Sequence, residues 1–227
     1  MVQPLSRAEA RAVDAWAAAA LGLPTLVLME NAGRGAADWL VELAGGGKCV
    51  FVACGTGNNG GDGGVVARHL DLRGFPVRVA WFGAPDRYSH DAAIQQHALG
   101  GLGIDQRHLA DSGHLAELDA LLAEADWVVD GLFGTGLARP VEGWMREAIE
   151  ALNRSGKPIL ALDVPSGLDA DTGESLGAAV RARATATFVA AKLGFTARGA
   201  SAYTGEVRVI DIGIPDRRPR GGPPVSG

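Results

Sequence analysis

Three short apolar runs, each followed at once by glycine and a cluster of polar side chains, constrain this chain more than any other feature. Lys48–Cys54 (KCVFVAC) leads into Gly55-Thr56-Gly57-Asn58-Asn59-Gly60-Gly61-Asp62-Gly63-Gly64. Trp127–Asp130 leads into Gly131-Leu132-Phe133-Gly134-Thr135-Gly136, and Ile159–Asp163 into Val164-Pro165-Ser166-Gly167. Helical stretches lie between these runs. Strands alternating with helices are joined as parallel strands by right-handed crossovers. Strands that read as continuous apolar runs belong to a sheet covered by helices on both faces. The expected fold is α/β: a three-layer αβα sandwich with a Rossmann-like, doubly wound, mostly parallel sheet and two additional N-terminal helices.

The remaining elements fill this frame. Ser6-Arg7-Ala8-Glu9 is a capping box opening a first helix that runs to about Leu21. Pro24 and Thr25 start a second helix to about Leu43, ended by Gly45, Gly46 and Gly47. Further helices are expected at about Val65–Leu72, Asp91–Leu99, His114–Ala123 and Val141–Asn153, and further strands at Val77–Phe82, Ala184–Val189 and Val207–Ile212. The expected organisation is one domain, 1–215. The segment 216–227, whose Arg217–Gly227 (RRPRGGPPVSG) has nothing to bury, reads as a disordered tail or linker stub.

Composition excludes several functions. A net charge of -5 argues against a nucleic-acid partner held by broad phosphate neutralisation. No run approaches the ~18 apolar residues of a membrane span. Ala15–Leu23 is not a signal core, because Glu9 and Asp14 stand where a basic region belongs. Cys49 and Cys54 fall in one strand and point to opposite faces, so they form neither a disulfide framework nor a metal knuckle. The expectation is a soluble, cytoplasmic protein with no membrane partner.

In open α/β sheets, ligands bind at the carboxyl ends of the strands, where all three polar clusters fall. Gly55, Gly57 and Gly60 match G-x-G-x-x-G, but the second strand ends Trp81-Phe82-Gly83 without the acidic residue of a dinucleotide-dependent dehydrogenase. No Gly-Lys-Ser/Thr follows, which removes the phosphate-loop ATPases. What remains is a glycine-rich loop bringing backbone N–H groups to an anion at a helix start, with Asn58, Asn59 and Asp62 beside it. The plain alternative is a turn in which Gly and Asn supply positive φ. Asp130 is a strand-end carboxylate, with helix capping as its plain alternative. Asp163 and Ser166 flank Pro165, whose ring stiffens the turn; Ser166 can equally be an N-cap. Together these oxygens suit a group I or group II cation, with the choice left open. Lys192 follows a strand and is a candidate for the same crevice. His69 reads as a surface or packing residue, His90, His97, His108 and His114 lack metal spacing, and Asp169 and Asp171 read as turn formers.

Leu28-Met29-Glu30-Asn31-Ala32-Gly33, Gly57–Gly63, Gly131–Gly136, Asp163–Gly167 and the closing Asp211-Ile212-Gly213-Ile214-Pro215, in that order, resemble the NAD(P)H-hydrate epimerase family, the YjeF N-terminal domain. The resemblance covers essentially the whole chain to Pro215. It implies an isomerase of metabolite repair that interconverts the R and S forms of NADH or NADPH carrying a hydroxyl at nicotinamide C6. A separate ADP- or ATP-dependent dehydratase then restores the S form. By motif, Asn58, Asn59, Gly60, Gly61 and Asp62 would contact substrate. Gly134, Thr135, Gly136, Leu137, Ala138, Arg139 and Pro140 would form a second substrate loop, with Asp163 a third contact. Asn59, Asp130 and Ser166 would bind one potassium ion (K+) per subunit. Asp163 is the expected acid–base residue and Asp62 its reserve. Some members carry a lysine in the loop after the second strand, where this chain offers only Arg87, which cannot exchange protons near neutrality. A homodimer is implied, with the apolar face of the first two helices as a candidate interface. The competing readings are a non-catalytic nucleotide-binding scaffold on the same fold and a nicotinamide-dependent oxidoreductase.

Overall fold

A computed structural model describes residues 3–214. The tail 216–227 lies outside the described residues, as does Pro215. The chain runs α1 (Arg7–Leu21), α2 (Thr25–Ala44), β1 (Val50–Cys54), α3 (Asn58–Asp71), β2 (Val77–Phe82), α4 (His90–Gly101) and β3 (Asp105–Leu109). It continues α5 (Leu115–Glu124), β4 (Trp127–Gly131), α6 (Gly143–Arg154), β5 (Ile159–Leu162), β6 (Ala184–Phe188), α7 (Ser201–Thr204) and β7 (Glu206–Ile210). The strands form one sheet in the order β3-β2-β1-β4-β5-β6-β7, and every pairing is parallel, so the sheet is wholly rather than mostly parallel.

The alternation of side chains along a strand divides the core into two layers. Val52 and Cys54 of β1 join Trp39, Leu40, Val66 and Trp81 beneath α2, α3 and α4. Phe51 and Ala53 join Leu118, Leu122, Ile149 and Leu152 beneath α5 and α6. Every residue of β1, β4 and β5 is buried, which is why these three strands read as unbroken apolar runs. β3 is the seventh strand, absent from the expectation. Its sequence Asp105-Gln106-Arg107-His108-Leu109 lies at the sheet edge, where only Leu109 is buried, so no apolar run marks it.

The largest departure concerns α3, which begins at Asn58 rather than near Val65. Glycine in a helix interior costs about 1 kcal/mol each against alanine, so local propensity argues against a helix through Gly60-Gly61-Asp62-Gly63-Gly64. Packing overrides that preference. A Cβ on Gly60 would stand 1.9 Å from the Gly55 carbonyl oxygen, and one on Gly55 would stand 1.9 Å from that of Leu132. At the crossing of α2 with α3, a Cβ on Gly33 would meet the Val65 Cβ at 2.4 Å. Much of the glycine excess therefore serves close approach of backbones.

The capping box at α1 is formed, with Ser6 accepting from the Glu9 N–H and Glu9 reaching back to the Ser6 backbone. The apolar face of α2 is largely consumed inside the fold, with Leu28, Met29, Trp39 and Leu40 buried. The two front helices leave Leu21 and Val27 as their exposed large hydrophobic residues. Among the described residues no helix is long and apolar enough to cross a membrane.

Candidate active site

The order β2-β1-β4-β5 sends the chain outward in one direction from β1 and in the other from β4, and the crevice between their carboxyl ends is the expected ligand position. A cavity of about 940 Å³ opens there, within the usual range of about 300–1,000 Å³ for small-molecule sites. Its walls come from α1, the start of α2, the start of α3, the segment after β4, the turn after β5 and the segment after β6.

Asn58, Asn59, Asp62, Asp163 and all of Gly134–Pro140 line this cavity. Gly60 and Gly61 do not. Their N–H groups both donate to the Gly57 carbonyl, and their Cα positions face the Gly55 carbonyl and the Met29 side chain, so they shape the helix start rather than the cavity. Arg87 is exposed in a short turn after β2 and is also absent from the wall. Asp169 accepts from the Asp171 and Thr172 N–H groups and from Arg7, as a turn former does. His69 pairs with Glu30 at 2.7 Å, away from the site.

Asp163 has an unusual backbone. Its φ of 63° is left-handed, and so is the 67° of Val189. Such positive φ is costly for residues with a Cβ and above all for β-branched valine, and it concentrates at functional sites. The turn directs one Asp163 oxygen to Lys192 Nζ at 2.6 Å, while the other accepts from the Thr135 N–H at 3.3 Å. Lys192 is 1 % exposed at its side chain. Its ammonium also donates to Thr187 Oγ1 at 2.8 Å, to the Phe188 carbonyl at 3.1 Å and to the Ala190 carbonyl at 3.2 Å. Four oxygens thus surround a buried cation that also lines the cavity. Sequence reasoning found Lys192 as a candidate; its pairing with Asp163 required the fold.

Behind the wall lie Asp130 and Ser166, both fully buried. Asp130 accepts from the Ser166 hydroxyl at 2.5 Å, the Ser166 N–H at 2.8 Å and the Leu132 N–H at 3.2 Å. Burial nevertheless pushes its carboxyl up to about 6, against the pull of the Ser166 and Leu132 hydrogen bonds. Asn59 is buried in the first turn of α3 with neither end of its amide hydrogen-bonded. It lies against Gly134, whose added Cβ would come 3.4 Å from Asn59 Oδ1. Most buried side-chain polar atoms are satisfied, so the orphaned Asn59 amide oxygen is a donor free to take up a ligand. An amide oxygen, a hydroxyl and an uncompensated carboxylate are hard donors that suit a cation of low charge. Among the described residues no cluster of three or more His, Cys, Asp or Glu side chains is placed to hold a metal.

The remaining carboxyls are perturbed by one another. Asp62 is pushed well above the ordinary carboxylate range by burial first, then by the negative charges of Asp163, Asp14 and Asp91. Asp14, which sequence reasoning passed over, lines the cavity from α1. Part of its side chain reaches solvent, yet loss of water on the cleft side and the charge of Asp163 push it up to about 6, with Lys192 opposing. Nothing in the sequence distinguishes it, because it follows no strand.

A wholly parallel doubly wound sheet with such a cleft defines a Rossmann-like α/β protein whose site carries an ion pair and perturbed carboxyls suited to acid–base work. The family described as YjeF-related protein N-terminus matches residues 25–194, and the chain belongs to it. It is 43% identical over 212 residues to a protein of Rhodopirellula baltica named NAD(P)H-hydrate epimerase, spanning 93% of this chain and 85% of that one. It is 44% identical to the protein of the same name from Pirellula staleyi, with 92% of each covered. A Thermofilum pendens protein named bifunctional NAD(P)H-hydrate repair enzyme Nnr is 41% identical over 91% of this chain, which spans only 39% of that longer protein. The crystal structure of the yeast protein ynu0 superposes with a TM-score of 0.77 at 25% identity, covering 91% of this chain and 87% of that one.

Proposed function

We propose that this protein is an isomerase that epimerises the R and S forms of hydrated NADH and NADPH at nicotinamide C6, a metabolite-repair step. The observation that carries this reading is the Asp163–Lys192 ion pair at the cleft of a chain more than 40% identical to two NAD(P)H-hydrate epimerases along nearly its whole length.

The chemistry needs what the cleft offers. The C6 hydroxyl is a hemiaminal beside the ring nitrogen. The nitrogen lone pair assists departure of the oxygen as water once that oxygen is protonated, leaving a planar iminium. Water then adds to either face and loses a proton to a base. Asp163 enters its ion pair as a carboxylate, and we assign it the proton of the returning water. Lys192 and the Thr135 N–H hold one oxygen each, so the carboxylate is fixed in direction. Asn58, Asn59 and Asp62 supply one part of the substrate wall and Gly134–Pro140 the part next to it.

Asn59, Asp130 and Ser166 fit one potassium ion per subunit, on the strength of the orphaned Asn59 amide and the buried Asp130 carboxylate. When bound, the ion supplies positive charge against Asp130 and an anchor for the segment after β4. The partner that consumes the product is an S-specific ADP- or ATP-dependent dehydratase, consistent with the longer bifunctional relatives. The site of action we assign is the cytoplasm. We assign a homodimer too; light scattering that returns the mass of one subunit at micromolar concentration would remove it.

The test is a coupled recovery of NADH from an epimer mixture by an S-specific dehydratase. Without this protein, recovery stalls when the S form is exhausted. With it, recovery runs to completion, and Asp163→Ala abolishes the effect. Recovery that stalls equally with the wild-type protein rules the function out.

A further inference from the structure

A reaction that removes a hydroxyl from one face of a ring and returns it to the other needs an acid at one moment and a base at the next. Asp163, fixed by Lys192, supplies the base. Resting on the epimerase reading, we propose that Asp14 of α1 is the second proton-handling residue, forming with Asp163 a two-carboxyl device in which each acts as acid when the other acts as base.

The geometry comes first. Asp14, Asp163 and Lys192 line one cavity from three separate segments: α1, the turn after β5 and the stretch after β6. The charge of Asp163 and that of Lys192 both act on Asp14, in opposite directions. The charged groups that share the cavity wall with Asp14 are Asp163, Lys192, Asp62 from α3, and Arg139 and Glu142 from the segment after β4, with Arg11 on its own helix. Arg11 donates to the Gly136 carbonyl at 3.3 Å, within the same cavity wall.

Asp62 is the rival for this role. It is 9% exposed and held well above the ordinary carboxylate range, chiefly by burial. That burial leaves it little access to solvent from which to reload a proton. Asp14 reaches solvent and lies at about 6, close to where an acid–base residue works best.

In one direction protonated Asp14 gives its proton to the C6 oxygen, the C6–O bond breaks, and the oxygen leaves as water while the nitrogen lone pair forms the C=N bond. A second water adds to C6 from the other side, its oxygen pair forming the new C–O bond as the C=N pair returns to nitrogen. Its proton passes to the Asp163 carboxylate. The pair then holds the same single proton on the other partner. The reverse direction runs from that state with the roles exchanged, and solvent resets the pair. No oxidant or reductant enters. Because the two starting states differ only in where one proton sits, both directions share one pH profile, and kcat/KM falls as pH rises through about 6 and Asp14 loses its proton.

The test combines Asp14→Asn with solvent oxygen-18. For the wild-type protein, each R-to-S conversion installs one solvent oxygen at C6, and kcat/KM declines above about pH 6 equally in both directions. Asp14→Asn lowers kcat/KM by about 100-fold or more and removes that decline, while NADP+ binding and the melting temperature stay near wild type. Asp14→Glu recovers part of the rate and of the pH limb. A wild-type rate and profile in Asp14→Asn overturns the proposal, as does retention of the original oxygen on epimerisation. Loss of the pH limb in Asp62→Asn but not in Asp14→Asn transfers the role to Asp62. A wild-type protein that epimerises nothing removes the epimerase reading itself, an outcome distinct from each of these.

Discussion

Replacing Lys192 by methionine isolates the contact on which the site rests. The substitution keeps the length of the side chain and deletes the ammonium, stranding the Asp163 carboxylate and removing the donor to Thr187, Phe188 and Ala190. Breaking a buried ion pair by removing one partner costs about 3–5 kcal/mol. The Asp163 side chain is 14% exposed toward the cleft and recovers some hydration, so we take the lower end, about 3 kcal/mol. For a chain of this size, 1 kcal/mol moves Tm by about 2–4 °C, so Lys192→Met lowers Tm by about 6–12 °C. Asp163→Asn is the matching change at the other end, since asparagine tolerates the left-handed backbone of that position. The double variant no longer buries an unpaired charge, and its loss falls short of the sum of the single losses by about 2 kcal/mol. Urea unfolding of the four proteins at low and at high salt supplies the cycle, and a buried pair retains most of its coupling at high salt. Single losses below about 1 kcal/mol, or additive losses within about 0.5 kcal/mol, refute the buried pair.

The Asp130 carboxyl, raised to about 6 by burial, makes stability fall as pH rises from about 4 to about 6, because there the folded protein holds a proton the unfolded chain has released. The shift of roughly two units corresponds to about 3 kcal/mol, so Asp130→Asn raises Tm at pH 8 in buffers without alkali cations. Potassium chloride raises the wild-type Tm at pH 8 relative to an equal concentration of tetramethylammonium chloride, less so at pH 5, and Asp130→Asn abolishes that difference. Gly55→Ala, whose Cβ would stand 1.9 Å from the Leu132 carbonyl oxygen, costs at least about 3 kcal/mol by urea unfolding, whereas Gly57→Ala, with open space at its Cβ, costs less than about 1 kcal/mol. Arg87→Ala leaves kcat/KM within about twofold of wild type, because its side chain is exposed outside the cavity.

The frame of this molecule was readable in its residues because three fully buried strands write themselves as apolar runs, with the polar side chains of the site immediately after them. β3 was not readable, since an edge strand exposes its side chains and needs no apolar pattern. The start of α3 was misread for the opposite reason. Its glycines argue locally for a loop, and only the approach of Gly55, Leu132 and α2 explains a helix there. Within the site, Asn58, Asn59, Asp62 and Asp163 were found because they follow strands, whereas Gly134–Pro140 came as a loop through the family resemblance, and the structure gathers all of them at one cavity. Lys192 was legible as a candidate but its partner was not, because the pair forms between two separate turns. Asp14 left no mark, because an aspartate on an amphipathic helix looks like a solvated face until tertiary structure brings it to the same cavity as Asp163.

The decisive experiment incubates the isolated R epimer of hydrated NADH with the purified protein alone and follows it by chromatography that resolves the two epimers. An epimerase makes the S epimer appear at a rate proportional to protein concentration, far faster than in buffer, and the mixture settles at the ratio reached spontaneously. An R epimer that converts no faster with the protein than without it shows that the protein is not an epimerase of this substrate.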